Sequence, residues 1–180
     1  SPMWDTGLAI HSLAEANGES QTNELNRAAA WLAEKQILDV NGDWSHKRPG
    51  LRPGGWPFQY TNDYYPDVDD TAVVALALDK MDSKKFRVNI ERAAEWIVGM
   101  QGVNGGWGSF DADNTYGYLN HIPFADHGAL LDPPTADVTA RCVGMLAQIS
   151  VERYSNTIKR GIAYLYADQE NDGSWFGRWG

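Results

Sequence analysis

Trp96-Ile97-Val98-Gly99-Met100-Gln101 runs into Gly105-Gly106-Trp107, and the same pattern occurs twice more. Tyr164 to Gln169 leads to Gly173-Ser174-Trp175, and Trp31 to Gln36 leads to Gly42-Asp43-Trp44 with two extra residues. Each copy has an aromatic, a Gln five residues on, then Gly-x-Trp. A second mark precedes each: Pro2-x-x-Asp5, Pro66-x-x-Asp69 and Pro134-x-x-Asp137, with 31 or 32 residues from that Asp to the Gln. A fixed period of about 65 residues signals a repeat architecture.

Each unit reads as two helices. The stretch from Asp69 to Leu78 follows a proline, carries acids in its first turn and is apolar nearly all round, so it is expected to be buried on most sides. Residues 86–101 place Phe86, Val88, Ile90, Ala93, Ala94, Ile97 and Val98 on one face, which predicts a half-exposed helix. The same contrast holds for 2–16 against 22–36 and for 134–149 against 151–169. Strand signals are weak. The expected fold is all-α, with tandem helical hairpins forming part of an α/α toroid. We expect one partial barrel domain over 1–180, with repeats at about 2–65, 66–133 and 134–180. The Gln is expected to bond open groups at neighbouring helix termini, and the Trp to cover it from water.

The 180 residues suffice for a domain with a core, and 43% are hydrophobic. A net charge of −9 argues against nucleic acid as a partner, since nothing would track phosphates. Cys142 is the one cysteine, so no internal disulfide framework exists. No apolar run approaches the length of about 18 residues that a membrane span needs. The opening Ser1-Pro2 lacks a signal peptide, and both ends read as internal to a longer chain.

Chemistry concentrates at Asp67-Val68-Asp69-Asp70. One acid would cap the helix; three close acids repel, and an apolar helix body adds desolvation, both raising carboxyl pKa values. An aspartic acid that stays protonated is what acid catalysis needs. Magnesium binding is the rival reading, but no basic phosphate cradle accompanies the cluster. Asp39-x-Asn41-x-Asp43 and Asp111-x-Asp113-x-Thr115 suggest calcium loops but lack the required glycine. Trp56, Phe58, Tyr60, Tyr64, Tyr65 and Phe110 supply aromatic faces that either pack a core or stabilise a cation. His121, Phe124 and His127 lie in a long loop over 102–133, read as loop anchors.

Together, Asp67-Val-Asp-Asp70-Thr-Ala, the Gln-Trp repeats, Gly54-Gly55-Trp56-Pro-Phe58-Gln, Asn120-His-Ile-Pro-Phe124 and Asp132-Pro-Pro134 resemble the squalene–hopene cyclase family along essentially the whole chain. The resemblance implies Asp69 as proton donor to the terminal alkene of squalene, flanked by Asp67 and Asp70. It implies Trp4, Phe58 and Phe110 as substrate- and cation-binding aromatics, and Asp137 as an acid bonded to the residue behind the donor. That residue is a histidine in the best-known members and Arg141 here, where a fixed charge would favour ionised Asp69. It implies no metal and no cofactor. It also implies a longer two-domain chain, monotopic on the bacterial membrane through parts outside this segment, with a homodimer possible in the family. The 180 residues alone are expected to be inactive, and to associate through exposed inner-helix surface. A class II diterpene cyclase and a non-catalytic helical-repeat binding module are the alternative readings.

Overall fold

The structure is a computed structural model and describes residues 1–16, 22–115 and 131–176. Asn120, His121, Phe124 and His127 lie outside the described residues.

Local chemistry starts the helices. Pro2 opens α1 (Pro2–Ala16), where a missing N–H is no loss, and Ser1 Oγ accepts the Trp4 N–H at 3.3 Å. Thr22 caps α2 (Asn23–Glu34) through the Leu25 N–H. A short antiparallel pair, β1 (Trp56–Pro57) and β2 (Pro66–Asp67), leads into α3 (Val68–Asp82). This pair was not expected, because two-residue strands containing proline leave no periodic signal. Helices α4 (Arg87–Met100) and α6 (Ser155–Ala167) start after the buried rings of Phe86 and Tyr154; α5 (Ala136–Ser150) follows Pro133-Pro134.

Helices α1, α3 and α5 pack side by side, and α2, α4 and α6 return against them as the second arm of each hairpin. The arrangement is the tandem-hairpin, α/α-toroid architecture that the repeat predicts. Central α3 buries Val68, Val74, Ala75, Leu78 and Met81 on several faces. On α1, which has a neighbour on one side, Leu8 and Leu13 are 43% and 49% exposed. Among the described residues no helix is long and apolar enough to cross a membrane.

The repeat Gln works as a staple between units. Gln101 Nε2 donates to Gly105 O at 2.9 Å and to Thr157 O, near the start of α6, at 3.0 Å. Gln36 Nε2 does the same with Gly54 O at 2.7 Å and Asn89 O, near the start of α4, at 2.9 Å. Gln169 Nε2 donates to Gly173 O at 2.8 Å. The indole N–H of the repeat Trp closes the end of the preceding helix. Trp107 donates to Ile97 O, Trp175 to Leu165 O and Trp56 to Leu32 O.

These bonds correct the register of the first repeat. Its partner of Trp107 and Trp175 is Trp56, not Trp44, and its glycine is Gly54, not Gly42. Trp56 lies 20 residues after Gln36, against 6 in the other units. The intervening loop carries Trp44, which packs edge-on against Trp96 at 5.9 Å. Both rings are fully buried, but Trp44 Nε1 has no partner among the described residues. Trp56→Phe is therefore expected to destabilise the chain by about 1 kcal/mol more than Trp44→Phe, the net worth of one hydrogen bond. Paired urea melts measure the difference.

Candidate active site

The start of α3 is tied down from three directions. Asp67 Oδ1 accepts the N–H groups of Asp69 at 2.7 Å and Asp70 at 3.1 Å, an N-cap. Thr71 Oγ1 donates to Asp67 O at 2.6 Å and accepts the Trp56 N–H at 2.9 Å, joining β1 to the helix. The Val68 N–H donates to Ser109 O at 2.7 Å. With Asp67 used as the cap, Asp69 and Asp70 are free to project elsewhere.

Asp69 faces α5. Arg141 donates to both its carboxylate oxygens, through Nε to Oδ1 and through Nη2 to Oδ2 at 2.7 Å. The same Nη2 reaches Asp137 Oδ2 at 3.2 Å, one helical turn earlier. Asp69 and Asp137 hold the same place in consecutive repeats, so two equivalent acids share one guanidinium. That guanidinium lies 5.2 Å from the Trp4 ring centroid. Asp70 accepts the Ser1 hydroxyl at 2.8 Å.

All eight residues singled out from the sequence line one cavity of about 550 Å³: Trp4, Phe58, Asp67, Asp69, Asp70, Phe110, Asp137 and Arg141. Ser1 and Ser109 line it as well. Neither was named from the sequence: the Ser-Pro pair at a helix start is a signal that could have marked Ser1, whereas nothing local marks Ser109, whose place depends on a contact with Val68. The aromatics before the acids divide. Phe58 reaches the cavity, but Trp56 belongs to the core. Tyr60 packs against Trp31, and the exposed Tyr65 donates to Asp43.

The Asp111–Asp113 loop is braced rather than open. Asp113 accepts from Val103 N–H and Arg48, and Asp111 from Ala112 N–H. Among the described residues no group of three or more His, Cys, Asp or Glu is arranged to hold a metal ion.

Burial sets the acidity. It pushes Asp67 up to about 8, helped by the Asp70 and Asp69 carboxylates and opposed by the two backbone N–H bonds. Burial lifts Asp70 to about 6, against the Ser1 hydroxyl bond and with the Asp69 charge. It also lifts Asp69 above the ordinary aspartate value, although Arg141 pulls the other way. Asp67 thus keeps its proton at neutral pH, and Asp69 and Asp70 hold theirs to higher pH than an ordinary aspartate, beside aromatic faces able to attract a cation.

A raised folded-state pKa makes stability fall as pH rises. Between about pH 4 and 8 the unfolded chain has lost the Asp67 proton while the folded chain retains it. Thermal unfolding is therefore expected to drop steadily from pH 5 to pH 8. In Asp67→Asn the part of the decline that reaches pH 8 should be missing, and the remainder should flatten once pH has passed the Asp70 midpoint near 6. Asparagine retains the cap because both capping bonds go to Oδ1. Melting curves across that range test this.

The squalene-hopene cyclase C-terminal domain family matches residues 1–180. The squalene–hopene cyclase of Zymomonas mobilis is 56% identical over all of this chain, which covers 28% of that protein. That of Schizosaccharomyces japonicus is 54% identical, with 28% covered. That of Alicyclobacillus acidocaldarius is 48% identical, with 29% covered. The chain therefore spans less than a third of the length of these relatives.

Proposed function

The chain belongs to the squalene–hopene cyclase family, and from that premise we propose that it carries the proton-donating centre of a triterpene cyclase acting on squalene. The observation that carries this reading is the gathering of the buried Asp67 and Asp70, the partly buried Asp69 and three aromatic rings on one cavity. Asp69 is the donor. Its O–H bond breaks as a C–H bond forms on the terminal alkene, leaving a tertiary carbocation. The ring closures that follow pass the charge along the chain, and loss of a proton from the last cation makes the net change an isomerisation.

Each neighbour has a part. The bidentate Arg141 pair is the geometry of the conjugate base, holding the Asp69 carboxylate that remains once the proton has gone. Before transfer, Asp137 draws the guanidinium and leaves one Asp69 oxygen for the proton. Asp67 and Asp70 flank the donor and oppose its ionisation. Trp4, Phe58 and Phe110 face the early cations, and their apolar walls exclude the water that would quench them. No cofactor takes part. The repeats at about 2–65, 66–133 and 134–180 form part of one barrel of a longer protein. That protein docks on a bacterial membrane through other segments and pairs as a homodimer.

The test is product analysis of the full-length protein incubated with squalene in detergent and a chelator. Cyclised triterpene under these conditions supports the reading. Magnesium-dependent turnover of a diterpene diphosphate instead would assign the other cyclase class, and no turnover of either would leave a binding module.

A further inference from the structure

Asp132 does not line the cavity, yet it holds a residue that does. Its Oδ1 accepts the Ser109 N–H at 2.9 Å, and its Oδ2 accepts the N–H groups of Phe110 at 2.6 Å and Asp111 at 2.7 Å. Three consecutive amides turn in on one carboxylate, and such charge-assisted bonds are stronger than those to a neutral acceptor. Gly108 leaves the room: a Cβ there would stand 2.8 Å from Asp132 Oδ2 and 2.6 Å from its carbonyl oxygen. The Asp132 backbone is itself anchored, since its N–H donates to Asn114 O at 3.2 Å and Pro133-Pro134 restrict the chain that follows. The held segment continues to the acids, because Ser109 O accepts the Val68 N–H, between Asp67 and Asp69.

We propose that Asp132 is a positioning residue that sets the Phe110 ring at the cavity wall and, through Ser109, fixes the start of the helix bearing the proton donor. The catalytic consequence rests on the cyclase reading above; the structural one does not. Cation–π attraction requires the charge to lie over the ring face, so a displaced Phe110 leaves an early cation free to lose its proton. Partially cyclised hydrocarbons then leave the enzyme. A donor displaced by about 1 Å lowers kcat by about 10- to 100-fold.

The experiment compares the full-length protein with its Asp132→Ala, Asp132→Asn and Gly108→Ala variants. It reads squalene product ratios, kcat and KM, and amide hydrogen exchange over residues 107–112. In Asp132→Ala we expect a lower kcat with little change in KM, a raised share of partially cyclised products, and exchange at 109–111 faster by about tenfold or more, as local opening becomes cheaper. Asp132→Asn, with one acceptor oxygen left, should fall between parent and alanine. Gly108→Ala keeps Asp132 but pushes it away, and should reproduce the alanine pattern. Unchanged products and exchange in Asp132→Ala would overturn the proposal. So would exchange accelerated equally throughout α3 and α4, which marks a general loss of stability. If the parent does not cyclise squalene, the cyclase reading fails, while the exchange comparison still decides whether Asp132 holds Phe110.

Discussion

Asp69→Asn in the full-length protein is expected to lower squalene cyclisation by about 10³-fold or more, within the range by which a positioned general acid accelerates a reaction. Asparagine has nearly the same shape and can still accept from Arg141, but it has no acidic proton for an alkene. The fold should be spared. The cap of α3 comes from Asp67, and the Thr71 and Val68 bonds do not involve the Asp69 side chain. Arg141 keeps Asp137 as a partner. Melting temperature should therefore stay close to that of the parent while product disappears. Product formation equal to the parent would remove Asp69 from the donor role; loss of product together with collapse of the melt would assign it a structural one.

Removing the positive charge beside Asp69, the proposed donor, should move its titration. Arg141 stabilises ionised Asp69 and so lowers a pKa that burial raises. In Arg141→Gln the opposing pull is gone and the acid form survives to higher pH. The alkaline limb of the pH–rate profile, where the donor loses its proton, should shift upward by about 1–3 units, the usual effect of an adjacent arginine on an aspartate. The plateau should fall at the same time, because a weaker acid protonates an alkene more slowly and its conjugate base is left without its bidentate partner. An alkaline limb that stays in place, measured on the full-length variant, would show that Arg141 does not tune the donor.

The two predictions rely on different kinds of information. That three acids open a buried helix was readable from Pro66 to Asp70, because helix starts and apolar faces are properties of adjacent residues. The six helices of the described residues followed from the same local signals, but not all their limits: the stretch read as 69–78 runs over Val68–Asp82, and 151–169 narrows to Ser155–Ala167. Asp67, Asp69, Asp70, Phe58 and Phe110 stood out by residue type; their roles, and Trp4, Asp137 and Arg141 as site residues, came from family resemblance, which identifies positions without giving their geometry. The Trp44 reading shows where local pattern misleads. Gly-x-Trp occurs at Gly42 and again at Gly54, and short spacing favoured the first. Only the indole bond from Trp56 to Leu32, spanning an inserted loop, selects the second.

By itself, then, the sequence determined the repeat, the hairpins, the inner and outer helices and the acid-rich helix start. All of these depend on periodicity or on capping within a few residues. Tertiary structure alone decided which Trp closes the first repeat, that Asp67 is used up as a cap, and that Asp69 shares Arg141 with its repeat-equivalent Asp137. It also decided that Asp132 gathers the amides beside Phe110. Each of these is a contact between chain segments brought together by packing, or a choice among chemically identical neighbours. Hydrogen-bond direction and burial make that choice, and neither is encoded in residue type or spacing.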